Sequence, residues 1–134
     1  MPNEPNWLPI EAVIEHNRLE LAETGENHFV RDFAGLESAL ARPRNAFAYG
    51  EENIVALAVL LMAGVAQNHP FEPGNKRTAF GAMRLFLRAN GFDTAFDDTV
   101  DWADQIIELV EHRLTEEEFV SALRPYVVPR GGGG

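Results

Sequence analysis

The sequence predicts an all-α fold, a single compact domain of about six helices built around a buried central helix. Three observations carry this. Apolar residues recur at helical spacing along most of the 134 residues. No segment shows sustained strand alternation. One stretch, Ile54 to Ala66, is apolar and uncharged all round, as a helix buried on every side must be. That stretch is too short for a bilayer, which needs ~20 residues. Hydrophobic residues make up 46% of the chain, enough for a core and too many for disorder.

The elements follow in order. Pro9 suits the first turn of a helix running to about Glu23, with Ile10, Val13, Ile14 and Leu21 on its apolar side. Thr24-Gly25-Glu26-Asn27 ends it. A short helix from about Asp32 to Ala41 should stop before Pro43. Ala46 to Gly50 reads as a turn or loop. The central helix spans roughly Glu52 to Asn68, with acids at its positive end. A loop, HPFEPGNKRTAF (His69 to Phe80), leads into a helix from about Asn75 to Ala89, closed by Asn90-Gly91. Phe92 to Phe96 is short and extended. Asp98 is a candidate cap for a helix through Val110. Thr115 and Glu118 form a capping box for a last helix to about Leu123. Pro125 and Pro129 should end the order. The expected domain covers residues 5–128, and 129–134 is a flexible Gly-rich tail or cloning remnant.

Composition narrows the function. The chain has no cysteine, which excludes disulfides and thiolate chemistry and is compatible with a reducing cytoplasm. The first residues lack the basic and apolar regions of a signal peptide. The net charge of −10 opposes general nucleic-acid or anionic-membrane binding. The charge is also segregated. Asp93 to Glu118 holds ten acids and one basic residue, Arg113, whereas His69 to Asn90 holds Lys76, Arg77, Arg84 and Arg88 against Glu72 alone. Arg84 and Arg88 are expected to pair with the acidic C-terminal half. Trp7, Trp102 and Phe119 read as core. His16, His28 and His112 have no metal-ligand spacing.

The positive cluster sits where a helix begins. The first backbone N–H groups of a helix are unpaired and carry partial positive charge. Gly74 lets an anion approach that backbone closely. Asn75, Lys76 and Arg77 add donors, and Arg77 can grip phosphate with two parallel bonds. His69 lies across a loop stiffened by Pro70 and Pro73, and histidine is the side chain suited to act as a base near neutrality. Phe71 is the apolar anchor of the loop. The residues by themselves leave two readings open: phosphate held for transfer, or a helix cap beside a surface histidine.

HPFEPGNKRTA resembles the motif of the Fic superfamily, and more closely that of its death-on-curing (Doc) branch. Fic enzymes show His-Pro-Phe, two variable residues, Gly-Asn-Gly-Arg and a later Arg. The Doc branch has Lys after Asn, as at Asn75 to Thr78. The stretch RDFAGLESALARP (Arg31 to Pro43) is similar to the upstream segment of Doc-like proteins. The resemblance implies a cytoplasmic bacterial enzyme using ATP, or another nucleoside triphosphate, and Mg²⁺ to modify a target protein. For the Doc branch it implies transfer of the γ-phosphate to a Ser, Thr or Tyr hydroxyl, with a translation factor as an expected target. Lys76 in place of Gly, and Phe80 in place of the second Arg, favour that branch over AMP transfer.

Carried over by position, His69 is the base, Phe71 the anchor, and Gly74, Asn75, Lys76 and Arg77 the phosphate ligands, with Arg77 also stabilising transition-state charge. The family's acidic metal ligand falls on Pro73, leaving Glu72, one residue earlier, as the candidate for Mg²⁺. A non-catalytic member that binds a nucleotide or partner is the reading Pro73 favours. No Ser or Thr is followed at the fourth position by Glu with Gly or Asn, the pattern of the family's internal inhibitory helix. The resemblance therefore implies a brake in another chain, a separately encoded antitoxin.

Overall fold

α3 (Ile54–Asn68) is the central element of the computed structural model, which describes residues 3–25, 30–71 and 73–131. Ten of its fifteen residues are buried, from Val55 through Ala66. The Asn53 carboxamide oxygen accepts from the Ala56 amide at 3.0 Å, so the helix begins two residues later than the acids suggested. α2 (Phe33–Ala48) and α4 (Asn75–Ala89) flank it, and α1 (Ile10–Thr24) packs on α4. α2 comes close to α3 at Gly64, where a Cβ would stand 2.9 Å from Ala39 Cα. A glycine facing an alanine is what lets two helices approach so closely.

α5 (Trp102–Val110) and α6 (Glu116–Leu123) cover the other side of α3. Trp102 is nine-tenths buried among Phe80, Phe96, Phe119 and Tyr126, with ring centroids 5.3–6.3 Å away. Trp7 stacks on Phe86 at 6.0 Å. Among the described residues there are six α-helices, one 3₁₀ turn (Arg124–Tyr126) and two three-residue strands, β1 (Phe92–Thr94) and β2 (Val127–Pro129). No described helix is long and apolar enough to cross a membrane. The all-α class and the six helices agree with the sequence.

Three local expectations are corrected. α2 does not stop at Pro43 but continues to Ala48, taking in the first three residues of the turn expected at Ala46 to Gly50. Pro43 loses one hydrogen bond there. It is itself buried, and the extra turns bring Phe47 against Trp7 with centroids 5.8 Å apart. Asp98 does not cap α5. Asp97 and Thr99 close a turn on each other, and Asp101 accepts from the Asp104 amide at 3.1 Å instead. Order does not end at Pro125. β2 pairs antiparallel with β1, with Phe92 opposite Pro129 and Thr94 opposite Val127. The Thr115–Glu118 capping box is present as expected, both bonds at 3.0 Å.

The first and last described segments are both tied to the C-terminal end of α4. Asn6 donates from its amide to Asn90 Oδ1 at 2.7 Å and from its side chain to the Ala89 carbonyl at 2.9 Å. The Arg130 amide donates to the Gly91 carbonyl at 2.8 Å.

Candidate active site

The helix-start loop is built from both sides. α3 ends at His69, whose backbone is left-handed (φ 48°, ψ 51°). Such a conformation disfavours side chains other than Gly, Asn and Asp by ~1–2 kcal/mol, so the surroundings must hold it. They do. Arg31 donates from Nη2 to the His69 carbonyl at 2.7 Å. The Arg31 and Asp32 amides both donate to the Pro70 carbonyl, at 2.8 and 3.0 Å. Val30 and Phe71 form an antiparallel bridge. Phe71 is 1% exposed and belongs to the core. Glu72 lies outside the described residues.

Gly74 stands at the N-cap of α4 with φ 89°, a conformation that favours glycine. Space requires glycine as well, because a Cβ would come within 3.2 Å of Leu21 Cδ2 and 3.3 Å of Asn17 Nδ2. Arg77 Nη2 lies 3.7 Å from that same point, which puts the guanidinium over the turn. Asn75 is placed differently from a simple phosphate ligand. Its side chain takes a 2.8 Å bond from the Phe71 amide and gives one of 2.8 Å to the Phe71 carbonyl. The carboxamide braces the loop, and the backbone N–H is what Asn75 presents at the helix start.

His69, Phe71, Gly74, Asn75, Lys76 and Arg77 come together around one open cleft of about 530 Å³, with Arg31 and Pro73 completing its wall. Three cations and a helix N-terminus face a histidine. The arrangement suits a polyanion held beside a base. Among the described residues no carboxylate lines this cleft, and no group of three His, Asp or Glu side chains is placed to hold a metal ion. The described residues therefore do not by themselves fit Mg²⁺.

The family profile described as "Fic/DOC family" matches residues 7–87, more than half of the chain, and includes the whole loop. The chain belongs to the Fic/DOC family. A relative, "Toxin Doc" of Mycolicibacterium smegmatis (strain ATCC 700084 / mc(2)155), is 38% identical over 96 residues, covering 69% of this chain and 73% of its own.

A second cavity of this Fic/DOC domain, about 490 Å³, runs along α4 between α1 and α5 and meets the first at Lys76 and Arg77. Its walls carry Arg84 and Arg88, and its apolar floor includes Phe80 and Trp102. Arg84 and Arg88 do not pair with the acidic half as expected. Arg84 donates to Thr94 Oγ1 at 3.1 Å and lies 5.7 Å over the Phe96 ring, and among the described residues neither arginine makes an ion pair. Both arginines line the cavity instead.

His16 of α1 lines the same cavity, in van der Waals reach of Gly81 and 3.5 Å from Glu20. Burial holds its imidazole below the ordinary value, with Glu20 opposing and Arg84 reinforcing the shift. The unfolded chain thus binds a proton that the folded chain resists. Stability is full above the unfolded value of about 6.5 and is lost as pH falls through it. Thermal midpoints measured at about pH 7.5 and about pH 5.5 should show the drop, and His16→Gln should flatten it. The carboxylates held low by hydrogen bonds, Asp97, Glu108 and Glu118, act only in a more acidic window.

Arg31 and Asn17 were not singled out by the sequence as parts of this site. The upstream stretch drew attention to Arg31 only as a point of resemblance. Nothing in the spacing of α1 marks Asn17.

Proposed function

We propose that this chain is a Doc-like toxin that transfers the γ-phosphate of ATP to a Ser, Thr or Tyr hydroxyl of a target protein. The observation that carries the reading is the convergence of His69, the Gly74 turn, Lys76 and Arg77 on one cleft. In the reaction, His69 takes the proton of the acceptor hydroxyl. The oxygen attacks the γ-phosphorus, the bond to the bridging oxygen breaks, and ADP leaves. The α4 amides, Lys76 and Arg77 offset the charge on the transferring group. Mg²⁺ would enter with the nucleotide, its hard ligands coming from phosphate oxygens and water, with Glu72 the acidic candidate of this chain. The toxin would be silenced by a separately encoded antitoxin. The cationic walls meeting at Lys76 and Arg77 offer acidic residues of such a partner a seat beside the loop.

The test is a pair of reactions in bacterial extract with ATP labelled on the α or the γ phosphate. Label on protein from γ alone supports the reading. Label from α would replace it with AMP transfer. Label from neither would leave a nucleotide- or partner-binding protein.

A further inference from the structure

Among the described residues, two polar side chains are buried within the core, Asn17 and Thr78, both 0% exposed. They bond to each other. Asn17 Nδ2 donates to Thr78 Oγ1 at 2.9 Å, and the same nitrogen donates to the Pro73 carbonyl at 3.3 Å. An amide in the middle of an apolar helix face is costly to bury, so its donors have to be matched. Here both protons of one NH₂ group are directed at the phosphate turn.

The two acceptors bracket Gly74. Pro73 is the residue before the turn, and Thr78 lies one helical turn into α4, its own amide bonded to the Gly74 carbonyl at 2.9 Å. Asn17 therefore spans the turn from beneath, at the distance where a Gly74 Cβ would already touch it. The N–H groups that begin α4 point away from this clamp, since helix donors at an N-terminus project outward along the axis. Their aim is set by the Pro73–Gly74 peptide and the first turn of α4, the two parts Asn17 ties together.

We propose that Asn17 is a positioning residue of the phosphate cradle, fixing the Gly74 turn so that the first amides of α4 and Arg77 converge on one anion. The proposal rests on the phosphate-transfer reading above. An apolar residue of similar volume would satisfy packing alone. A site that must hold a phosphate within ~0.5 Å needs its supporting shell fixed as well. Aspartate would remove both donors and place a negative charge under the anion.

The experiment measures the affinity for ATP with Mg²⁺ by calorimetry, at a temperature where each protein is folded by circular dichroism. Asn17→Leu, which removes both bonds, should bind about tenfold more weakly than the wild type. Asn17→Asp should bind more weakly still. Thr78→Val should also weaken binding, and Thr78→Ser, which keeps the hydroxyl, should restore it. A folded Asn17→Leu protein with wild-type affinity overturns the proposal. If the Asn17 variants do not fold, the Thr78 pair decides, and equal affinity of Val and Ser overturns it. A wild-type protein that binds no ATP overturns the phosphate reading itself, a failure seen without any variant.

Discussion

His69→Asn should lower γ-phosphate transfer by about 10²- to 10⁴-fold, the usual contribution of a positioned base, while leaving ATP affinity close to that of the wild type. Asparagine is the informative replacement because His69 is left-handed, and asparagine tolerates that backbone where alanine does not. His69→Ala should lose the same activity and some stability besides. Initial rates of label transfer give the first quantity, and calorimetric titration with ATP gives the second. The comparison separates chemistry from loop integrity, since Arg31 holds the backbone carbonyl of residue 69, which the substitution keeps. A His69→Asn protein that transfers phosphate at the wild-type rate would remove the base from this mechanism.

Phe71→Ala should destabilise the domain by about 3–5 kcal/mol, the range for emptying a buried phenylalanine site. The ring is 1% exposed within the core cluster. Its backbone is also the junction where the Val30 bridge and the Asn75 carboxamide meet. Loss of the ring should therefore loosen the loop before the helices melt. Denaturant unfolding measures the first effect, and faster amide exchange at Phe71 and Asn75 than in α3 would report the second. Phe71→Leu should recover more than half of the loss. A stable Phe71→Ala protein with a protected loop would show that the backbone bonds alone fix the site.

The legibility of the fold tracked how local each signal was. α3 and α4 were readable because burial on all sides and a Gly-Asn start are written in consecutive residues. α2 ran past Pro43 because packing of Phe47 on Trp7 and burial of the proline itself outweighed a local rule. β1 and β2 hold three residues each, too few for alternation to register, and their partnership spans more than thirty positions. The candidate site divides the same way. His69 through Arg77 form one contiguous stretch, so their assembly around one cleft was within reach of the sequence. The residues that hold the loop come from Val30 to Asp32 and from α1, brought in only by folding. The dual use of Asn75 was hidden for a related reason, because the spacing identifies an asparagine at a helix start but not whether its side chain turns outward or back.

The pinning of Asn6 and Arg130 to the far end of α4 bears on how the protein can be handled. α4 is fifteen residues long, so roughly 22 Å of helix separates that end from the Gly74 turn. A tag or a fluorescent partner attached beside Asn6 or Arg130 would project from the side remote from the His69–Arg77 loop. Joining Asn6 to Arg130 by a short linker, with new ends opened elsewhere on the surface, should be compatible with an intact cleft.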